Sequence, residues 1–308
     1  MEIYNKTSVI EFVLLGFYDH PDLQFILFTI FTSLYITALL TNLLTIAVVS
    51  LAPQLHSPMY ILLCNMSLLD ISFTTMVIPK LLDIFVTGNH TISYSGCITQ
   101  IFFFVFLIVS EYYILAVMAY DRYVAICIPL RYQQLMSNRV CLLLASLCWC
   151  VGLLEAVLYA ILISQCLFCK SNQINHLFCD IKPMIKLSCS DTRLIETMIH
   201  GPSAFIGFIP SVLTLVSYAF IITTVMKIPS SKGRYKTFST CSSHLTVIIM
   251  YYGTILCMYM RPKSAYAIDQ DKFFAILYTA VIPVLNPLIY TLRNQEVKGT
   301  LFKKRGKT

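Results

Sequence analysis

The chain has 308 residues, of which 57% are hydrophobic and only 12% charged, against a usual charged share of about 25%. A soluble globule this apolar lacks the polar side chains to cover its surface. The composition therefore argues against a soluble enzyme, a disordered tail or a small disulfide-stapled domain, and points to a membrane.

Residues 1–22 carry Glu2, Glu11, Asp19 and Asp22 and no positive n-region. They are expected to form an outer tail, with the first apolar run as an uncleaved signal anchor. Seven stretches reach the roughly 20 apolar residues a spanning helix needs, namely 23–50, 58–82, 97–128, 141–167, 197–226, 238–260 and 273–292. Runs of that length exclude barrel strands, which are alternating segments of about ten residues. The fold expected is an all-α membrane protein, a single seven-helix domain over 1–308, with an extracellular tail at 1–22, a transmembrane bundle at 23–292 and a cytoplasmic tail at 293–308. In that tail Val297, Leu301 and Phe302 alternate with Lys298, Lys303 and Lys304, the pattern of a short amphipathic helix lying on lipid. Membrane lipids are thus one partner.

Seven spans put the termini on opposite sides. Thirteen of the 22 Lys and Arg fall on one side, where the acids are Asp121 and Glu296. The other side has nine basic and ten acidic residues. The basic side is expected to be cytoplasmic and the N-terminus extracellular. The net charge of +7 then marks topology, not a nucleic-acid surface.

Five of the 12 cysteines, Cys97, Cys166, Cys169, Cys179 and Cys189, sit at or beyond the outer edge, where disulfides persist. Cys166 is the expected spare, and the other four allow three pairings. Cys166 and Cys169 have CxxC spacing, but no second CxxC or HxxxH accompanies them, so a disulfide-rich loop is expected rather than zinc. Asn5-Lys6-Thr7 is an N-glycosylation sequon on the outer tail. Asn89-His90-Thr91 lies close to the membrane, and Asn65-Met66-Ser67 lies inside a span.

Three acids, Asp70, Glu111 and Glu155, fall within spans, where a charge is costly unless used. Glu155 reads equally as a polar ligand contact or as an acid facing a neighbouring helix. At the inner end of span three, Asp121 can hold the Arg122 guanidinium, and its release frees a forked donor for a partner. The alternative is an interfacial Arg with its local counter-ion. Asn286-Pro287 combines a helix break with a polar side chain, a plausible bistable element or a static kink.

Motifs along the chain resemble those of the olfactory receptors, a branch of the rhodopsin-like G-protein-coupled receptors. They are Leu55-His-Ser-Pro-Met-Tyr60, Met118-Ala-Tyr-Asp-Arg-Tyr-Val-Ala-Ile-Cys127, Leu177-Phe-Cys-Asp180, Leu187-Ser-Cys-Ser-Asp-Thr192, Ser239-Thr-Cys-Ser-Ser-His-Leu245 and Pro283-Val-Leu-Asn-Pro-Leu-Ile-Tyr290. The resemblance runs from about Phe12 to Lys298, with Thr41 where the family usually has Gly. It implies disulfides Cys97–Cys179 and Cys169–Cys189. It implies landmark roles for Asn42, Asp70, Trp149, Pro210 and Pro287. Coupling and activation would fall to Asp121, Arg122, Tyr123, Tyr218, His244, Asn286, Pro287 and Tyr290. Asp70 and Glu111 would face each other and share a sodium ion or a proton, with no other cofactor.

The implied pocket comprises Phe104, Val105, Ile108, Val109, Ile181, Ser203, Ile206, Tyr252, Ile255, Tyr259 and Ile276. That lining is apolar with a few hydroxyls, as a small volatile odorant requires. Phe104 stands where amine receptors carry an Asp, which argues against amine ligands, and Lys263 near the mouth needs no ligand role. The expectation is an odorant receptor in the plasma membrane of sensory cilia. It would activate a stimulatory olfactory heterotrimeric G protein and raise cAMP. A transporter would show repeated halves, and an enzyme a motif such as HExxH or GxSxG. Neither is in the sequence.

Overall fold

The computed structural model describes residues 10–18, 21–169, 171–259 and 268–293. Its elements in order are strand β1 (Glu11–Leu14), helices α1 (Gln24–Leu51) and α2 (Pro58–Thr87), strand β2 (Thr91–Ser93), and helices α3 (Tyr94–Cys127), α4 (Tyr132–Leu135) and α5 (Asn138–Ser164). Strand β3 (Gln173–Ile174) follows, then helices α6 (Ile181–Leu187), α7 (Arg193–His200), α8 (Pro202–Met226), α9 (Ser231–Tyr259), α10 (Ile268–Ile276) and α11 (Ile282–Arg293). Among the described residues, seven helical segments are long and apolar enough to cross a membrane. They form the expected all-α bundle. The expected tail helix at 294–304 and the Asn5 sequon lie outside the described residues.

Several helices outrun their apolar cores. Helix α3 starts at Tyr94, where the Ser93 hydroxyl accepts from the Gly96 amide at 3.1 Å. Such a cap satisfies an amide that the first turn leaves open. Helix α2 runs to Thr87 and stops at Gly88, whose φ of 68° favours a residue without Cβ. Two expected spans are broken. Span five divides at Gly201–Pro202, because proline cannot donate to the preceding turn and disfavours a helical residue before it. Span seven contains a wide π-helical turn, Leu277–Val281, between α10 and α11.

Helix α3 sits centrally, against α2, α5, α8 and α9. Its closest neighbour is α5 at Gly152. A Cβ there would collide with Ser110 Oγ and stand 2.6 Å from the Phe106 carbonyl oxygen. Next to this crossing Trp149 Nε1 donates to Asn65 Oδ1 at 2.9 Å, so the third sequon asparagine is a packing residue. Thr41, the departure in span one, turns its hydroxyl back onto its own helix at the Thr37 carbonyl, 2.7 Å away.

The tail contributes more than expected. Strand β1 is the centre of a three-stranded sheet, antiparallel to β2 and parallel to β3. Phe12 and Leu14 alternate inward and are fully buried, stabilising the cap by about 1.5–3 kcal/mol each. The Phe12 ring meets Phe168 edge-on at 5.4 Å. The sheet caps the same end of the bundle as the two disulfides.

Candidate functional site

The outer end is tied down first. Cys97 is bonded to Cys179 and Cys169 to Cys189, while Cys166 is free and buried. The Cys179 amide donates to Gln100 Oε1 at 2.8 Å, which holds the long outer segment on α3. Asp180 caps α6 through the Ile181 amide at 2.7 Å. His176 is buried with its ring edge-on to Phe178, and burial pushes its pKa down to about 4. It is therefore neutral near pH 7.

Phe104, Val105, Ile108 and Ile181 are buried, while Val109, Ile255 and Ile276 are half-buried against the core. The Phe104 ring is enclosed by Phe178 at 5.2 Å, Phe73 at 5.6 Å and Tyr278 at 5.7 Å. Tyr252 stacks on Tyr112 at 4.2 Å and donates to the Tyr112 carbonyl at 3.1 Å. Hydroxyls gather around it: Thr214 Oγ1 lies 3.3 Å from Tyr252 Oη, and Ser211 Oγ lies 2.5 Å from Tyr112 Oη. Tyr251 donates to the Ile108 carbonyl at 2.9 Å. The side chains of Ser203, Ile206 and Tyr259, and all of Lys263, lie outside the described residues.

Sequence reasoning missed Tyr112, Phe178, Tyr251 and Tyr278 here. Tyr112 had a signal, since it extends the Phe104–Ile108 stripe by one more turn. Tyr278 had none, because the π-helical turn sets its direction. Glu155 is buried on α5 within electrostatic reach of Tyr113 on α3, so it faces a neighbouring helix.

The middle layer is polar. Asn286 Nδ2 donates to both Asp70 oxygens, at 3.0 and 3.2 Å, and Glu111 stands beside Asn286 and Tyr251. Asn42 Nδ2 donates to the Pro283 carbonyl at 2.9 Å, joining α1 to α11. Glu111 Oε1 and Asn286 Oδ1 are buried acceptors without a hydrogen bond. Two carboxyl groups and orphan carbonyl oxygens form a donor set that suits a hard cation. Among the described residues no three His, Cys, Asp or Glu side chains cluster as a metal site.

The end of the bundle opposite the sheet holds the Asp-Arg pair. Asp121 Oδ2 accepts from Arg122 Nη2 at 2.6 Å and Nε at 3.1 Å, while Asp121 Oδ1 accepts from Tyr132 Oη at 2.7 Å. Burial, then this bond, hold the Tyr132 phenol above its usual pKa, which keeps it a donor. Tyr123 packs on Phe220 at 5.7 Å. Tyr218 Oη bonds His244 Nδ1 at 2.7 Å, and the His244 ring lies 6.3 Å from that of Tyr290. Tyr290 Oη and His244 Nε2 are buried without partners. Pro287 lies inside α11, one residue past Asn286. Leu130, two residues before Tyr132, is 99% exposed.

The family model described as olfactory receptor matches residues 31–305. Human olfactory receptor 6Y1 is 45% identical over 98% of this chain and 93% of its own length. Mouse olfactory receptor 5AR1 is 44% identical over 100% of this chain and 99% of its own. Human olfactory receptor 8D4 is 46% identical, covering 98% and 96%.

Proposed function

We propose that this chain, which belongs to the olfactory receptor family, binds small, mostly apolar volatile odorants in the outer half of its bundle and answers them by activating a stimulatory olfactory heterotrimeric G protein that raises cAMP. It is a multi-pass membrane protein of a receptor family, not an enzyme. The observation that carries the proposal is that one helix, α3, bears all three layers. Phe104 and Ile108 line its outer half, Glu111 and Tyr112 its middle and the Asp121–Arg122 pair its inner end. A ligand that favours one tilt or rotation of α3 shifts the equilibrium at the lock.

In this reading the pocket comprises Phe104, Val105, Ile108, Val109, Ile181, Ser203, Ile206, Tyr252, Ile255, Tyr259 and Ile276. Coupling runs through Asp121, Arg122, Tyr123, Tyr218, His244, Asn286, Pro287 and Tyr290. Leu130 adds an apolar contact for the G protein. The N-terminus is extracellular with Asn5 glycosylated, and the receptor works in the plasma membrane of sensory cilia. A chemically diverse odorant panel on a cAMP reporter cell tests the function. At least one neutral odorant should raise cAMP in cells that carry the receptor and not in mock-transfected cells. Silence across the panel at confirmed surface expression would overturn it.

Asp70 and Glu111 would hold sodium in the inactive state. This chain's part is to supply two carboxyl groups and the Asn286 amide, and to exclude other water. Asp70→Asn should remove any sodium dependence of signalling, read as the shift in odorant EC50 between sodium and choline media. An unchanged shift would leave the pair as a proton-sharing one.

A further inference from the structure

Among the described residues, the outer end is closed on one side and open on the other. On the N-terminal side β1 fills the centre of the sheet, and Phe12 packs on both Phe168 and Tyr94, at 5.4 and 6.2 Å. Between β1, α1 and α2 there remains a void of about 10 Å³, lined by Leu14, Phe17 and Phe85 among others. That is room for one water at most. On the opposite side, a cleft of about 180 Å³ opens between α6 and the outer ends of α9 and α10, with His176, Asp180, Lys182, Lys186, Met258 and Asp271 in its wall.

The cleft lies one aromatic layer above the implied pocket. His176 rests on Phe178 at 4.8 Å, and Phe178 rests on Phe104 at 5.2 Å. Asp180 lies within electrostatic reach of Tyr278, which also packs on Phe104. Its roof is a helix of only seven residues, held at one end by the Cys97–Cys179 bond and just past the other by Cys169–Cys189. Lys182 Nζ donates to the Met258 carbonyl across the rim, so α6 and α9 share a polar tie. A volume of 180 Å³ is below the roughly 300–1,000 Å³ of a complete ligand pocket, as befits an antechamber. Two lysines face two aspartates in its described lining, with Ile174, Pro183 and Leu187 supplying apolar wall. Balanced charge around an apolar wall favours a neutral molecule with one polar end over an ion.

We propose that odorants enter through the cleft beneath α6 and pause there before passing the Phe178 layer, while the sheet side admits none. This rests on the receptor reading above. The test places a cysteine at exposed, cleft-lining Lys186 and another at exposed Glu11 on the sheet side. Each variant is compared before and after reaction with a bulky, membrane-impermeant maleimide, using an odorant active in the panel. Both variants are built on Cys257→Ser, because Cys257 is free and exposed next to Met258, while Cys166 is buried, so the introduced thiols are the accessible ones at this end. Labelled Lys186→Cys should show an onset of cAMP at least tenfold slower than the same variant unlabelled. Labelled Glu11→Cys should keep its unlabelled onset. An unchanged onset at Lys186 with labelling confirmed, or equal slowing at Glu11, would overturn the route while leaving the receptor assignment intact. Failure of every odorant on unlabelled receptor would instead strike the receptor assignment.

Discussion

Arg122→Ala should abolish odorant-evoked cAMP while the receptor still reaches the cell surface. The guanidinium is half-buried and forked onto a single carboxylate oxygen of Asp121. Once freed, it offers a partner a forked set of donors. Truncating a charge-paired donor at an interface typically costs about 2–5 kcal/mol, a loss of roughly 30-fold to several thousand-fold in coupling. The partner side of the lock predicts the opposite sign. Tyr132→Phe removes one of the bonds that hold Asp121 in place, worth about 1 kcal/mol, and should raise basal cAMP by about fivefold. Retained signalling in Arg122→Ala, normalised to surface staining, would refute the assigned role. Lowered basal activity in Tyr132→Phe would refute the lock.

Gly152→Ala should cut surface delivery several-fold, and Gly152→Leu should reduce it to background. The added Cβ meets Ser110 Oγ and, 2.6 Å away, the Phe106 carbonyl of α3. A side chain can swing aside, but a helix backbone cannot without moving the whole α3–α5 crossing. Overpacking of this kind costs about 1–3 kcal/mol, and losses of that size change cellular abundance several-fold. Ser110→Ala in the Gly152→Ala background should recover part of the loss, since it relieves the hydroxyl contact and leaves the carbonyl one. Full recovery, or no initial loss by flow cytometry of intact cells, would show that the helices separate more freely than the crossing implies.

The seven spans were legible because lipid demands long apolar runs, and the inner lock was legible because Asp121 and Arg122 are adjacent in sequence. What escaped was set by distance along the chain. Tyr132 reaches Asp121 only because α4 folds back under the bundle. Gly152 is an unremarked residue in an apolar helix until α3 is laid against it. The wide turn at Leu277–Val281 has no sequence mark, yet it aims Tyr278 at Phe104. The helices α6 and α7 were hidden in the long outer segment, whose charges and cysteines outweigh its short apolar stripes. Span ends were misjudged where polar turns continue a helix past the hydrocarbon, as at Ser231 on α9.

Strand β1 read as polar tail because Glu11 masks the alternation of Phe12 and Leu14, and because its partners are remote. Its register joins Val13 to Thr91 on one side and to Gln173 on the other. At a synthesis rate of about 5–20 residues per second, the second partner emerges roughly 8–30 s after β1 itself. Through that interval β1 exposes an unpaired edge and two inward apolar side chains. The order of birth of the chain therefore imposes a waiting period on its outermost element. An edge left open for that long is free to pair with other strands.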